Sequence, residues 1–280
     1  MSVRKLICYP VNHAGASPPK NVIAIIPARL SSTRLPGKSL LEIAGKPMIY
    51  WVVERALAAR SVSRVIVASD DRRILDAVRS QGCEAVKTRS DHASGTDRVA
   101  EVALQLDDAA MIVNVQGDEP MISPETIDRA VYALYHSPEG IAITTTWEPI
   151  ATVGEVMNPD VVKIVLTETG RALYFSRSPV PFPRQAVREH GTIEAALGND
   201  PSLLKLFRKH TGLYVYRRDV LLEFTRWPQS ELERRESLEQ LRALEHGVKI
   251  RAVEASSPSI GVDTYTDLER VREMMNVIRD

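Results

Sequence analysis

Apolar positions in this chain fall into short unbroken runs separated by amphipathic stretches. Val22 to Ile26, Arg64 to Ala68, Ala85 to Lys87, Met111 to Val115 and Ile141 to Thr146 have strand length. A run that is apolar at nearly every position suits a strand buried on both faces. The stretches between them read as helices. Pro47 suits the first position of a helix carrying Met48, Trp51, Val52, Arg55 and Ala56, and Asp71 to Ser80 and about Thr96 to Leu106 follow as two more. Ser123-Pro124-Glu125 opens another, running towards His136. Strands and helices alternating at this interval predict βαβ units and a mostly parallel sheet. Ligands of such sheets gather beyond the carboxyl ends of the strands, so chemistry is expected just after Ile26, Ala68, Lys87 and Val115.

The pattern changes after Trp147. Val161 to Thr167 and Arg171 to Ser176 flank Thr169-Gly170 as a hairpin would. Pro179, Pro181 and Pro183 interrupt regular structure, and residues 184–209 are polar, with room for a short helix or two. Thr211 to Tyr216 reads as a strand, Ser230 to His246 as one helix ended by Gly247, and Val248 to Val253 as a strand. Thr266 and Glu269 have the spacing of a capping box for the last helix. Residues 1–20 show no periodicity and read as a loose tail before a domain spanning 21–280.

Bulk properties narrow the function. The chain has 280 residues, 44% of them apolar and 26% charged, which is enough for one large α/β domain or two small ones. Its formal net charge is zero, so no global field favours nucleic acid or an anionic membrane, and any anion must meet a local basic cluster. Cys8 and Cys83 match no metal-ligand or CxxC spacing and read as reduced thiols. No run reaches membrane-spanning length and the N-terminus has no signal-peptide core, so a cytoplasmic protein is expected.

Three segments carry chemistry. Ala28 to Ser39 packs Arg29, Arg34 and Lys38 with four hydroxyls and Gly37 into one loop after the first strand, as a triphosphate requires. It is not a Walker loop, because Ser32 stands where that pattern needs glycine. The plainer reading is a solvated basic loop. Thr88 to Arg98 is polar around Gly95 and offers donors and acceptors to a base, although Ser94 or Thr96 also suits a helix cap. His92 reads as an inert loop histidine. Gln116-Gly117-Asp118-Glu119 follows a strand, placing Asp118 where a Mg²⁺ bound to phosphates would want a carboxylate. Glu119 is expected to point elsewhere.

The run IIPARLSSTRLPGKSL resembles the signature loop of sugar-nucleotide synthetases that use CTP, above all the CMP-Kdo synthetase family, where Kdo is 3-deoxy-manno-octulosonate. TRSDHASGTDR, VNVQGDEPMI, YFSR, HTGLYVYR, LEQLRALE and GVDT extend the likeness from about Val22 to the final helix. The resemblance implies a Rossmann-like, GT-A-like nucleotidyltransferase sheet with a smaller β-rich part, about 160–217, serving the sugar and dimerisation. It implies that Arg29, Arg34 and Lys38 hold the CTP phosphates with Ser32 nearby, and that Arg89, Ser94, Gly95 and Thr96 contact base or ribose. It makes Asp118 and Asp263 the Mg²⁺ ligands, a pairing that spacing alone could not give. On the acid side it implies Gln116, Arg177, His210, Tyr216, Glu236 and Gln240, with Arg177 on the carboxylate. Glu233, Glu236 and Gln240 also share one face of the helix expected from Ser230.

The implied reaction is attack by the C2 hydroxyl of Kdo on the α-phosphorus of CTP, giving CMP-Kdo for lipopolysaccharide and pyrophosphate, in a homodimer. The chain departs from the commoner family pattern in its first residues, in a longer stretch between Pro183 and His210, and at Val215. Rivals are the same chemistry on sialic acid or 8-amino-Kdo, a sugar-1-phosphate nucleotidyltransferase, a metal-dependent glycosyltransferase, and a non-catalytic nucleotide sensor. The paired aspartates argue against the sensor, and the lack of Asp-x-Asp at Gln116 to Asp118 argues against the glycosyltransferase.

Overall fold

The structure is a computed structural model that describes residues 20–31 and 34–277. Its first half runs β1 (Val22–Ala28), a small hairpin of β2 (Glu42–Ile43) and β3 (Lys46–Pro47), α1 (Met48–Leu57), β4 (Arg64–Ser69), α2 (Arg72–Ser80), β5 (Glu84–Lys87), α3 (Gly95–Ala103), β6 (Met111–Asn114), α4 (Pro124–Tyr135) and β7 (Ile141–Pro149). The second half adds α5 (Val153–Met157), β8 (Lys163–Leu166), β9 (Ala172–Ser176), α6 (Arg184–His190), α7 (Ile193–Asn199), β10 (Arg208–Arg217), α8 (Arg218–Phe224), α9 (Glu231–Glu236), α10 (Gln240–Glu245), β11 (Lys249–Glu254) and α11 (Tyr265–Val277).

The main sheet has the order β11-β7-β10-β6-β1-β4-β5. Neighbours pair parallel except around β10, which lies antiparallel between β6 and β7. The mostly parallel expectation therefore holds, with one reversed strand delivered by the long excursion after β7. The apolar runs are explained by two helical layers. On β1, Val22, Ala24, Ile26 and Ala28 join one core cluster, while Ile23 and Ile25 join the other on the opposite face. β8 and β9 form the expected hairpin, and β8 attaches to β10 where Lys163 meets Lys209. The polar stretch before β10 folds over a small core of its own, with Val156, Leu197 and Phe207 nearly sealed from solvent.

Three local expectations need correction. The helix predicted from Ser230 to His246 is two short helices, because Ser237 takes the left-handed conformation (φ 52°) and ends α9. Glu233, Glu236 and Gln240 therefore share no single helical face. Glu233 turns inward to Arg242 at 3.1 Å, and that pair is buried. The final capping box lies two residues earlier than expected: Thr264 Oγ1 accepts from Asp267 N at 3.2 Å, and Thr264 N donates to the Asp267 carboxylate at 2.9 Å. Ser123 stands before α4, but its hydroxyl accepts from Ser256 Oγ instead of capping the helix.

Candidate active site

Four chain segments meet at the carboxyl ends of β1 and β6. After β1 the chain turns at Gly37, whose φ of 71° favours glycine, and Lys38 follows in a short 3-10 turn. Leu35 plugs this loop into a cluster with Ile43, Met48, Val262, Leu268 and Val271, so α11 packs directly on it. Full burial of such a leucine stabilises by about 1.5–3 kcal/mol. This contact brings the residue after Val262 against the loop after β1.

The second approach is at Gly117. A Cβ there would lie 2.6 Å from the Pro27 carbonyl oxygen, so only glycine lets the chain after β6 pass the end of β1. Val262 N then donates to Asp118 O at 2.8 Å, tying two loops that lie far apart in sequence. Asp118 and Asp263 converge on one cation. Lys38 Nζ donates to Asp118 Oδ2 at 2.5 Å, to Asp263 Oδ1 at 2.9 Å and to Val262 O at 3.2 Å. Arg34 Nη2 donates to the other Asp263 oxygen at 2.9 Å. Burial opposes the lysine's charge, but Asp118 and Asp263 outweigh it and hold the ammonium above its ordinary pKa.

Two hard carboxylates already sharing a cation are a donor set that suits Mg²⁺, provided substrate phosphate oxygens and water complete the shell. Among the described residues no group of three or more His, Cys, Asp or Glu is placed to hold a metal ion. Glu119 faces away, as expected, towards Gly212, and burial reinforced by Asp118 pushes its carboxyl up to about 8.

A cleft of two lobes extends from this centre, and Gly95, Gln116 and Asp118 line both lobes. The smaller lobe, 400 Å³, is edged by Arg29, Arg34 and Lys38 together with Arg98. Arg98 was not foreseen. It is buried and held by Asp70 at 2.9 Å and by the Thr88 hydroxyl, so its signal in sequence was only a charge on the inner face of α3. Ser94 forms the capping box of α3 with Asp97, and neither it nor Arg89 lines a lobe. Arg89 instead lies exposed beside Asp91 and Glu101. Ser32 lies outside the described residues. His92 is not the exposed loop residue expected: its side chain is buried against Glu101, away from both lobes.

The larger lobe, 540 Å³, collects Thr96, Gln116, Arg177, His210, Tyr216 and Gln240 from five separate segments. Glu236 does not line it. That carboxylate accepts from Ser176 Oγ at 2.7 Å and from Arg177 N at 2.8 Å, so it braces the strand end beneath Arg177. Arg177 itself donates from Nε to Glu236 O at 2.6 Å and from Nη1 to Pro159 O at 2.9 Å, which aims the guanidinium while leaving donors for a ligand. Gln116 Nε2 donates to Gly212 O at 3.2 Å across the bulge of β10.

His210 meets Thr145 Oγ1 at 2.9 Å, and that hydroxyl also donates to Leu213 O at 2.8 Å. The hydroxyl has one proton, so His210 Nε2 carries the hydrogen of their contact and Nδ1 is left as an acceptor. Burial drives the imidazole pKa down to about 3, so the ring is neutral at physiological pH. Burial likewise pushes the Tyr216 phenol up, leaving it a neutral donor. Tyr214 also lines this lobe and was missed; in sequence it alternates with Tyr216 on the same strand.

The sequence profile of the family described as Cytidylyltransferase matches residues 23–250. A 3-deoxy-manno-octulosonate cytidylyltransferase of Geobacter sulfurreducens is 51% identical over 255 residues, covering 91% of this chain and 99% of its own. One of the same name from Pseudomonas fluorescens is 49% identical over 254 residues, covering 90% and 96%. The chain belongs to the 3-deoxy-manno-octulosonate cytidylyltransferase family. The solved structure of a CMP:2-keto-3-deoxy-manno-octonic acid synthetase complexed with CTP superposes with a TM-score of 0.81 at 42% identity, covering 91% of this chain and 98% of that one. A cytidylyltransferase from Leptospira borgpetersenii, at 15% identity and a TM-score of 0.59, shares the fold alone. Membership in this cytidylyltransferase family agrees with the fold, and with a cleft whose two lobes meet at Asp118. No helix among the described residues is long and apolar enough to cross a membrane.

Proposed function

We propose that this chain is a CTP-dependent nucleotidyltransferase that transfers CMP to the C2 hydroxyl of Kdo and releases pyrophosphate. The observation that carries the reading is the convergence of Lys38, Asp118 and Asp263 where the two lobes join. CTP occupies the smaller lobe, with its phosphates against Arg29, Arg34 and Lys38. The acid lies in the larger lobe, its carboxylate on Arg177 and its hydroxyls on His210 Nδ1, Tyr216 and Gln240. Attack forms the bond from the C2 oxygen to the α-phosphorus and breaks the bond to the bridging oxygen. The hydroxyl proton leaves to solvent.

Asp118 and Asp263 are the residues that would hold Mg²⁺, which when bound supplies positive charge at the α-phosphate and acidifies the attacking hydroxyl. Lys38 and Asp263 exchange partners as the nucleotide enters: the ammonium turns from the carboxylates to the departing pyrophosphate. There the chain's task is electrostatic, since Lys38, Arg29 and Arg34 meet charge that grows as the bond breaks. The product CMP-Kdo serves lipopolysaccharide synthesis in the cytoplasm. The part spanning about 160–217 forms the sugar side and the contact of a homodimer, a reading supported by Leu173, Phe182 and Leu206 standing exposed on it.

The test is pyrophosphate release from the full chain with CTP, Kdo and Mg²⁺, run beside UTP, sialic acid and 8-amino-Kdo. Release with CTP and Kdo is expected, and Asp118→Ala should cut it by about a thousandfold or more while the melting temperature holds. Release with another acid alone would move the substrate assignment. Silence from folded protein with every acid would sink the enzyme reading.

A further inference from the structure

Lys163 heads the side chains that the fold seals completely, at 0% exposure on β8. An ammonium is costly to bury, and it persists where something holds it. Its Nζ donates to two main-chain carbonyls, Asn158 O at 2.9 Å and Val161 O at 2.6 Å. Arg177 Nη1 takes Pro159 O at 2.9 Å, and His210 N donates to Val162 O at 2.8 Å. Four carbonyls of the segment 158–162 are thus fastened by Lys163, Arg177 and His210. That segment belongs to no helix or strand, yet Asp160, Val161 and Val162 form a wall of the larger lobe.

Position points the same way. Lys163 lies opposite Ser176 in the β8–β9 pairing, beneath the strand end that Arg177 leaves. Burial, and after it Arg177, pull the lysine's pKa down, while Glu236 opposes them. Glu236 is committed to Ser176 Oγ and Arg177 N. Lys163 and Arg177 thus lie on either side of a carboxylate whose hydrogen bonds are already taken, and both reach main-chain carbonyls of the same wall.

We propose that Lys163 is a positioning residue for the acid substrate: it fixes the 158–162 wall against which Arg177 and His210 are set. The proposal rests on the acid-side reading given above and concerns a residue that does not itself touch substrate.

The test varies Kdo and CTP in turn in the pyrophosphate-release assay, using the wild-type chain, Lys163→Met and Lys163→Gln, with CTP affinity measured by calorimetry on each. Methionine keeps the stem and removes every donor, and glutamine restores neutral donors without charge. Lys163→Met should raise KM for Kdo by about tenfold or more, since small displacements of a positioning wall are felt strongly at the reacting atoms. Lys163→Gln should fall between it and wild type, with CTP affinity within about twofold throughout. An unchanged KM for Kdo would overturn the proposal. So would equal loss of CTP affinity in both variants, which would mark Lys163 as a general core element. A wild-type chain that releases no pyrophosphate with Kdo is a different failure, that of the function itself, and shows before any variant is made.

Discussion

The two lobes of the cleft are built in opposite ways. On the nucleotide side, Arg29, Arg34 and Lys38 sit on one loop after a parallel strand, and Asp118 sits in the next strand-end turn over. The sheet places them, and they need few partners beyond one another. On the side proposed for the acid, Arg177 follows β9, His210 and Tyr216 lie on β10, and Gln240 starts α10. There the supports are buried polar couplings: Glu236 under Arg177, Thr145 behind His210 and Lys163 behind the wall. Nucleotide-side charges can therefore act on growing phosphate charge with little else depending on them. Each acid-side group is also part of the scaffold for its neighbours.

That contrast predicts different kinetic signatures. Lys38→Met removes the cation nearest both aspartates and should lower kcat by about a hundredfold to a thousandfold, with KM for Kdo little changed. A rise confined to KM for CTP would instead mean that the lysine only binds nucleotide. Arg177→Met should act mainly on the other side, raising KM for Kdo by about tenfold to a hundredfold with CTP affinity intact, because a charge-assisted contact and an anchor of Pro159 O go together. Arg177→Lys should rescue little, since a point charge cannot reach Glu236 O and Pro159 O at once and still face a carboxylate. Full rescue by lysine would reduce Arg177 to simple charge and break the contrast between the lobes.

The same contrast decides what could be read in advance. The parallel sheet was legible because β1, β4 and β6 are buried on both faces and read as unbroken apolar runs. The basic edge of the smaller lobe was legible because Arg29, Arg34 and Lys38 lie within one short stretch. The pairing of Asp118 with Asp263 came from resemblance, and its physical cause is long-range: Leu35 packs against α11, and Val262 N reaches Asp118 O. The acid side misled more. Helical periodicity joined Glu233, Glu236 and Gln240 across Ser237, whose left-handed backbone carries no strong residue signature. Glu236 was expected to meet the acid because sequence does not show that Ser176 Oγ and the Arg177 amide lie against its carboxylate. The buried charges Arg98 and Lys163 were invisible for the same reason, since their partners are distant or main-chain.

His210 offers the smallest effect and a separate check on the acid side, through stability. In the unfolded chain its imidazole titrates near 6.5, and burial lowers it to about 3 in the fold. Between these values the unfolded state takes up a proton that the folded state refuses. The contribution is therefore present above pH 6.5 and is lost progressively as pH falls towards 3, with a slope of at most about 1.4 kcal/mol per pH unit. Urea denaturation of the wild type between pH 7.5 and 4.5 should show this acid limb, and His210→Gln should make it shallower while leaving the alkaline side unchanged. Parallel limbs in the two proteins would mean that the ring is hydrated and free to protonate. It would then not be the neutral acceptor, fixed through Thr145, that the acid side requires.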